Sequence, residues 1–244
     1  MKTAVFLLAG RGSRLNRYTE IIPKCLVEVS GKPILHRMLE ILEKKGVKKI
    51  VLVVGYRWEE IYKSVGDNWN GMSIQYVNNV DWEKTNNIVS FYMAKDVLQE
   101  DFLLLEGDIV VAPNALDSFI AGKNQMAVSA FKPFMDGTVV TYAPNKVVDK
   151  IYLKSDFTPE LDLERTYKTV NIYSLNNNDF HCHIVPELEN IINSGRVNAY
   201  YEQAFAYLVN TGKIQFEAID YSNLDWFEID NEKDLEIAES IFKN

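Results

Sequence analysis

The chain has 244 residues, 47% of them hydrophobic and 25% charged, which is enough to bury one generous core or two modest ones. A formal net charge of -8 excludes a broad nucleic-acid footprint, which needs clustered Lys and Arg, so any bound phosphate is held locally. The two cysteines, Cys25 and Cys182, show neither C-x-x-C nor zinc-ligand spacing, which points to reduced thiols rather than a disulfide framework or a metal site.

The N-terminal run "MKTAVFLLAG" leads into Arg11, Arg14 and Arg17 rather than a small-residue cleavage site, and no segment reaches about 18 uncharged apolar residues. A cytoplasmic protein without a membrane span is expected. "TAVFLLA" (Thr3 to Ala9) is nearly all apolar, as in a strand buried on both faces. "KPILHRMLEILEKKG" sets Ile34, Leu35, Met38, Leu39, Ile41 and Leu42 on one helical stripe, with Pro33 in the first turn and Gly46 as a stop. "KKIVLVVG" predicts a second buried strand and "RWEEIYKSVG" a helix. "MSIQYVN" then predicts a strand, "NNIVSFYMAKDVL" a helix and "DFLLLEGDIVV" a fourth strand. This alternation over the first ~110 residues predicts a Rossmann-like, mostly parallel α/β sheet flanked by helices, with ligands gathered beyond the carboxyl ends of the strands.

From about Met126 the segments "MAVSAFKP", "GTVVTYA", "KVVDKIYLK" and "TYKTVNIYSL" predict a small antiparallel β-rich elaboration. "VPELENIINSG" and "YYEQAFAYLVNTG" read as helices, "IQFEAID" as a strand, and a last helix starts near Asn231. With no linker-like stretch, residues 1–244 are expected to form one domain, with 1–125 as the nucleotide-binding half and 126–244 as the acceptor-binding half. His181 and His183 flank Cys182 in a segment that reads as a helix start rather than a ligand set.

The loop after the first strand, "LLAGRGSRLNRYTEIIPKCL", combines Gly10 and Gly12 with Arg14 and Lys24. Glycines there let backbone N–H groups approach an anion, and the basic residues add full charge. The loop is neither a G-x-x-x-x-G-K-[ST] P-loop nor a completed G-x-G-x-x-G fingerprint, so a tight turn with solvated charges also stays open.

The whole string resembles the signature of the nucleotidyltransferases that activate phosphorylated sugars and alcohols, roughly L-A-[AG]-G-x-G-[ST]-R-L followed by P-K. Gly10, Gly12, Ser13, Arg14, Leu15, Pro23 and Lys24 match it. Leu8 stands where a small residue is common, and Arg17 where proline is common. "EGD" (Glu106 to Asp108) matches the family's strand-end aspartate. "EKTNNIVSFY" and "WFEIDNEKDLEIAE" are similar to segments of its choline-phosphate and phosphonate cytidylyltransferase branch.

That resemblance implies attack by a phosphate or phosphonate oxygen on the α-phosphorus of CTP, with release of pyrophosphate, on a small phosphorylated alcohol, amine-bearing compound or phosphonate. It implies catalytic roles for Lys24 at the α-phosphate, Arg14 at the β/γ-phosphates, and Asp108 and Asp230, the last two as ligands of Mg²⁺. Leu8, Ala9, Gly10, Arg11, Gly12, Ser13, Arg14, Lys24, Asn79, Thr85, Asn86, Asn87, Glu106 and Asp108 would contact the nucleotide. Lys168, Asn171, Tyr201, Glu202, Trp226 and Glu228 would contact the acceptor. Tyr200, Tyr201, Trp226 and Phe227 could wall a cation or simply pack in the core. No nucleic-acid or membrane partner is implied, and a homodimer stays open. The competing readings are a sugar-1-phosphate nucleotidyltransferase using UTP, dTTP or CTP, and a nucleotide-sensing domain without chemistry.

Overall fold

A computed structural model describes residues 1–243. Its central sheet is built from β1 (Thr3–Leu8), β2 (Lys49–Val54), β3 (Met72–Asn78) and β4 (Phe102–Glu106). These four run parallel in the order β4-β1-β2-β3. Helices α1 (Ile34–Lys44), α2 (Trp58–Val65) and α3 (Asn87–Met93) provide the crossovers.

The apolar runs follow from burial on both faces. Along β1, Ala4, Phe6 and Leu8 meet the core beneath α1 and α2, whereas Val5 and Leu7 meet the opposite core, which α3 shares. The same alternation recurs on β2 and β4, so neither strand can carry the polar-out pattern of a half-exposed sheet.

The predicted fourth strand is interrupted. β4 ends at Glu106, and after Gly107 and Asp108 the chain resumes as β5 (Ile109–Val111), which leaves the main sheet. The second half adds β6 (Gln125–Ala130), β7 (Val139–Tyr142), β8 (Val148–Tyr152) and β9 (Tyr167–Leu175). β9 pairs antiparallel with β4, so this β-rich addition extends the main sheet rather than forming a separate layer. Helices α4 (Val185–Asn193) and α5 (Glu202–Asn210) cover the α3 face. Next come β10 (Glu217–Asp220), parallel to β6, then β11 (Trp226–Glu228) and α6 (Glu232–Ile241).

β5 and β11 form a two-stranded antiparallel ribbon. A small core of Leu15, Val27, Val29, Ile34, Val110, Ile229, Leu235 and Ala238 ties this ribbon and α6 to the glycine loop. Residues adjacent in sequence to that core, Arg14 and Asp230, thereby reach one another across 216 positions. Cys25 is buried and Cys182 exposed, both as free thiols. His181 contacts the carbonyl of Leu98 through Nε2, in the turn that leads into α4. Among the described residues no helix is long and apolar enough to cross a membrane.

Candidate active site

The glycine loop leaves the carboxyl end of β1 with Gly12 at φ +66°, and the Gly12 carbonyl accepts from the Leu15 amide and the Thr19 hydroxyl. A Cβ on Gly12 would lie 2.8 Å from Cδ and 2.9 Å from Cβ of Lys24. The missing side chain is therefore what lets the Lys24 stem lie across the loop. Above Gly10 nothing lies within 4 Å of the corresponding position, which leaves the backbone there open to a ligand. Gly12→Ala is expected to lower activity by about 100-fold while costing about 1–2 kcal/mol of stability, since it strains a left-handed position and displaces a charged side chain. Steady-state kinetics beside thermal unfolding checks this.

Lys24, with its side chain 14% exposed, donates to Asp108 Oδ2 at 2.7 Å and to Asp230 Oδ1 at 2.9 Å. Burial alone would lower its pKa, but the two carboxylates outweigh it and hold the ammonium above the ordinary lysine range. Lys24 is thus a fixed cation, suited to charge stabilisation and not to proton transfer. Arg14, 70% exposed, reaches Asp230 Oδ1 at 2.7 Å from the rim.

The ribbon sets the acidic side. The Ile229 amide donates to the Asp108 carbonyl at 2.9 Å, which places Asp230 opposite the β4 end. Asn231 caps α6 by accepting from the amides of Lys233 and Asp234, while Asp234 Oδ2 accepts from the amides of Asp230 and Asn231. This reciprocal capping fixes the backbone that carries Asp230. Oxygens of Asp108, Glu228 and Asp230 lie within 4.8 Å of one another, and Asp108 Oδ1 is buried with no hydrogen-bond partner. Burial raises the Glu228 pKa, Lys168 opposes it, and Asp108 and Asp230 raise it further. An all-oxygen set with an orphaned lone pair fits a hard divalent cation such as Mg²⁺.

The sequence puts Glu228 on the acceptor side alone, whereas the structure also brings it beside Asp108 and Asp230. Its spacing from Asp230, two residues along an extended segment, is the sequence signal for a shared face.

On the other wall, "TNNIVS" is a scaffold as much as a contact surface. Asn79 Nδ2 donates to the hydroxyls of Thr85 and Ser90. Asn86 caps α3, and its amide donates to the Val197 carbonyl. Asn87 donates to Glu106 Oε1 at 3.2 Å and accepts from the Tyr201 amide. Burial, followed by the charges of Asp108 and Glu202, pushes the Glu106 carboxyl well above the usual carboxylate range. Leu8, which departs from the family pattern, fills space beside Gly107, where a Cβ would lie 2.3 Å from Leu8 Cδ2.

A single cleft of about 1440 Å³ is lined by Leu8, Ala9, Gly10, Gly12, Arg14 and Lys24. Asn79, Thr85, Asn86, Asn87, Glu106 and Asp108 line it as well, as do Lys168, Asn171, Glu202, Trp226, Glu228 and Asp230. Three expected residues are elsewhere. Arg11 lies outside the cleft, with its guanidinium over the Tyr56 ring, and Ser13 begins the Ser13–Thr19 turn.

Tyr201 is the larger correction. It is 0% exposed, packed edge-on against Phe91, Tyr173 and Phe205, because its large ring completes the α3/α5 core. Tyr200, 56% exposed, takes the cleft-side position instead. Asn171 arrives there by a bulge: between Thr169 and Tyr173 the β9 register against β6 shifts, and Asn171 adopts φ +58°. Sequence patterning carries no signal for that bulge.

Residues 4–152 match the family model of the MobA-like NTP transferase domain. The chain belongs to this family. The CMP-5'-(3-aminopropyl)phosphonate synthase of Streptomyces rubellomurinus is 34% identical to this chain over 241 residues, 98% of the chain but 38% of that protein. The UTP--glucose-1-phosphate uridylyltransferase AglF of Haloferax volcanii is 37% identical over 128 residues, 52% of each. The chain thus spans about two fifths of the first of these relatives and about half of the second.

Among solved structures, the CTP:phosphocholine cytidylyltransferase from Streptococcus pneumoniae (LicC) superposes with a TM-score of 0.83 at 21% identity over the full length of both chains. The inositol-1-phosphate CTP transferase from T. maritima superposes with a TM-score of 0.76 at 24% identity, covering 99% of this chain and 96% of that one. Both share the fold.

Proposed function

We propose that this NTP transferase is a CTP-dependent cytidylyltransferase that joins CMP to a small phosphorylated alcohol or amine, or to a phosphonate, and releases pyrophosphate. The observation that carries the reading is Lys24, shared by Asp108 and Asp230 at the mouth of an open glycine loop and next to a third carboxylate, Glu228. The T-N-N-x-x-S and E-I-D segments, with the 34% identity to a CMP-phosphonate synthase, favour CTP and a small acceptor.

The cleft exceeds the size of an ordinary single-ligand pocket, so nucleotide and acceptor can be held together and react directly. The cysteine on the cleft wall is not poised as a nucleophile for a covalent intermediate. Cys25, on the cleft wall, is buried, and its thiol pKa is pushed up to about 12, chiefly by burial. An oxygen of the acceptor phosphate or phosphonate attacks the α-phosphorus in line, the bond to the β-phosphate bridging oxygen breaks, and pyrophosphate leaves. Lys24 neutralises charge at the α-phosphate, the amides around Gly10 hold the triphosphate, and Arg14 reaches the β/γ-phosphates from the rim. Mg²⁺ held by Asp108 and Asp230, with Glu228 in reach, would screen the repulsion between two anionic substrates.

Pyrophosphate release measured with each of four NTPs against sugar phosphates, phospho-alcohols and phosphonates tests this. CTP with a phospho-alcohol, phospho-amine or phosphonate is expected to be fastest. Faster turnover of a hexose 1-phosphate than of every other acceptor would replace this reading by a sugar-1-phosphate nucleotidyltransferase.

A further inference from the structure

Resting on the reading that the glycine loop holds the triphosphate, we infer that Tyr56, which lies outside the cleft, is a positioning residue for the nucleotide. It ties down both ends of that loop and so sets the backbone that CTP meets.

The loop is poorly equipped to hold its own shape. Between Ala9 and Glu20 it turns left-handed at Gly12, φ +66°, and again at Asn16, φ +46°, the second at a cost because asparagine carries a Cβ. Gly12 offers no side chain to cap the Ser13–Thr19 turn that follows it. Such a backbone persists only where its surroundings over-determine it.

The ties come from the end of β2. Gly55 lets that end touch the start of the loop, since a Cβ there would lie 2.8 Å from the Ala9 carbonyl oxygen and 2.7 Å from Trp82 Cβ. The Tyr56 amide donates to the same Ala9 carbonyl at 2.9 Å. At the far end of the loop, the Tyr56 hydroxyl donates to the Thr19 carbonyl at 2.7 Å, with the Glu20 carbonyl at 3.1 Å. Arg57 Nε donates to the hydroxyl oxygen at 3.0 Å, which leaves the hydroxyl hydrogen directed at those carbonyls. Arg57 keeps a left-handed φ of +47° in doing so, a second strained position spent on the same contact.

The connection runs on into the site. The buried Thr19 hydroxyl donates to the Gly12 carbonyl at 3.1 Å, and Gly12 is the residue across which the Lys24 stem lies. Neither Tyr56 nor Arg57 lines the cleft, so the effect of Tyr56 on the nucleotide passes through the loop.

The test compares the full wild-type chain with Tyr56→Phe, which keeps a ring beneath Arg11 and against Trp82 and removes only the hydroxyl. CTP affinity is read by calorimetry with Mg²⁺ and no acceptor, both KM values by pyrophosphate release, and folding by circular dichroism. Tyr56→Phe is expected to weaken CTP binding and raise the CTP KM by about 5- to 20-fold, the worth of one hydrogen bond, with the acceptor KM within about twofold of wild type. A merely structural hydroxyl would lower the melting temperature and leave the CTP KM of the folded protein untouched. Thr19→Val removes the next link of the same connection, so the double variant should weaken CTP binding by less than the product of the two single effects. Unchanged CTP affinity in folded Tyr56→Phe, equal rises in both KM values, or multiplicative effects in the double variant overturn the inference and leave cytidylyl transfer standing. Should Thr19→Val fail to fold, Tyr56→Phe decides alone. Wild-type protein that binds neither CTP nor any other nucleoside triphosphate overturns the loop reading and the inference together.

Discussion

On the proposed cytidylyl transfer, Lys24→Ala is expected to lower kcat by about 10²- to 10³-fold and to shift the CTP KM by less than about tenfold. The reason lies in where the charge sits. The ammonium is held by Asp108 and Asp230 in a largely buried position, so in the proposed reaction it would need no reorganisation as charge builds on the α-phosphate oxygens, and a cation acts most strongly when that charge is greatest. Arg14, exposed and at the rim, would in the proposed reaction meet the triphosphate in ground and transition states alike, so Arg14→Ala should raise the CTP KM as well. Lys24→Ala also leaves neighbouring carboxylates without their shared cation, so its melting temperature should fall in chelator and recover partly on adding Mg²⁺. Equal and small changes in kcat and KM would reject the assigned role.

Asp108→Asn is expected to lower turnover by at least about 100-fold with the fold intact, because the amide keeps the shape and would remove a charged oxygen from the proposed Mg²⁺ site. Asp108 is singled out by its buried, partnerless Oδ1. The Mg²⁺ concentration for half-maximal rate should rise in the same variant, a readout that a merely structural defect would not move. Asp230→Asn should act similarly and also loosen Arg14, since one oxygen, Oδ1, serves both Arg14 and Lys24. Retention of most activity by Asp108→Asn at unchanged Mg²⁺ demand would reject the metal assignment.

The parallel half of the sheet was legible because strands buried on both faces must be apolar at consecutive positions, as in Thr3–Leu8 and Lys49–Val54. The glycine loop was legible through its resemblance to the nucleotidyltransferase signature, while the reason for Gly12, room for the Lys24 stem, is visible only in the structure. What escaped depends on contacts between distant segments. Tyr200 and Tyr201 are adjacent and identical, and only the packing of α5 against α3 decides which enters the core. The break at Gly107 and Asp108 follows from β5 pairing with β11, a partner more than 100 positions away. The bulge at Asn171 lies where the register of β9 against β6 shifts, a pairing between segments about 40 positions apart.

Following the label of [α-³²P]CTP tests the central claim most directly. With Mg²⁺ and 2-aminoethyl phosphate, wild-type protein is expected to place the α-phosphorus in a CMP–acceptor conjugate while releasing equimolar pyrophosphate, and Lys24→Ala to abolish both together. Label recovered only as CTP, CMP or CDP, with no conjugate formed on any phosphorylated or phosphonate acceptor, would contradict cytidylyl transfer at this centre.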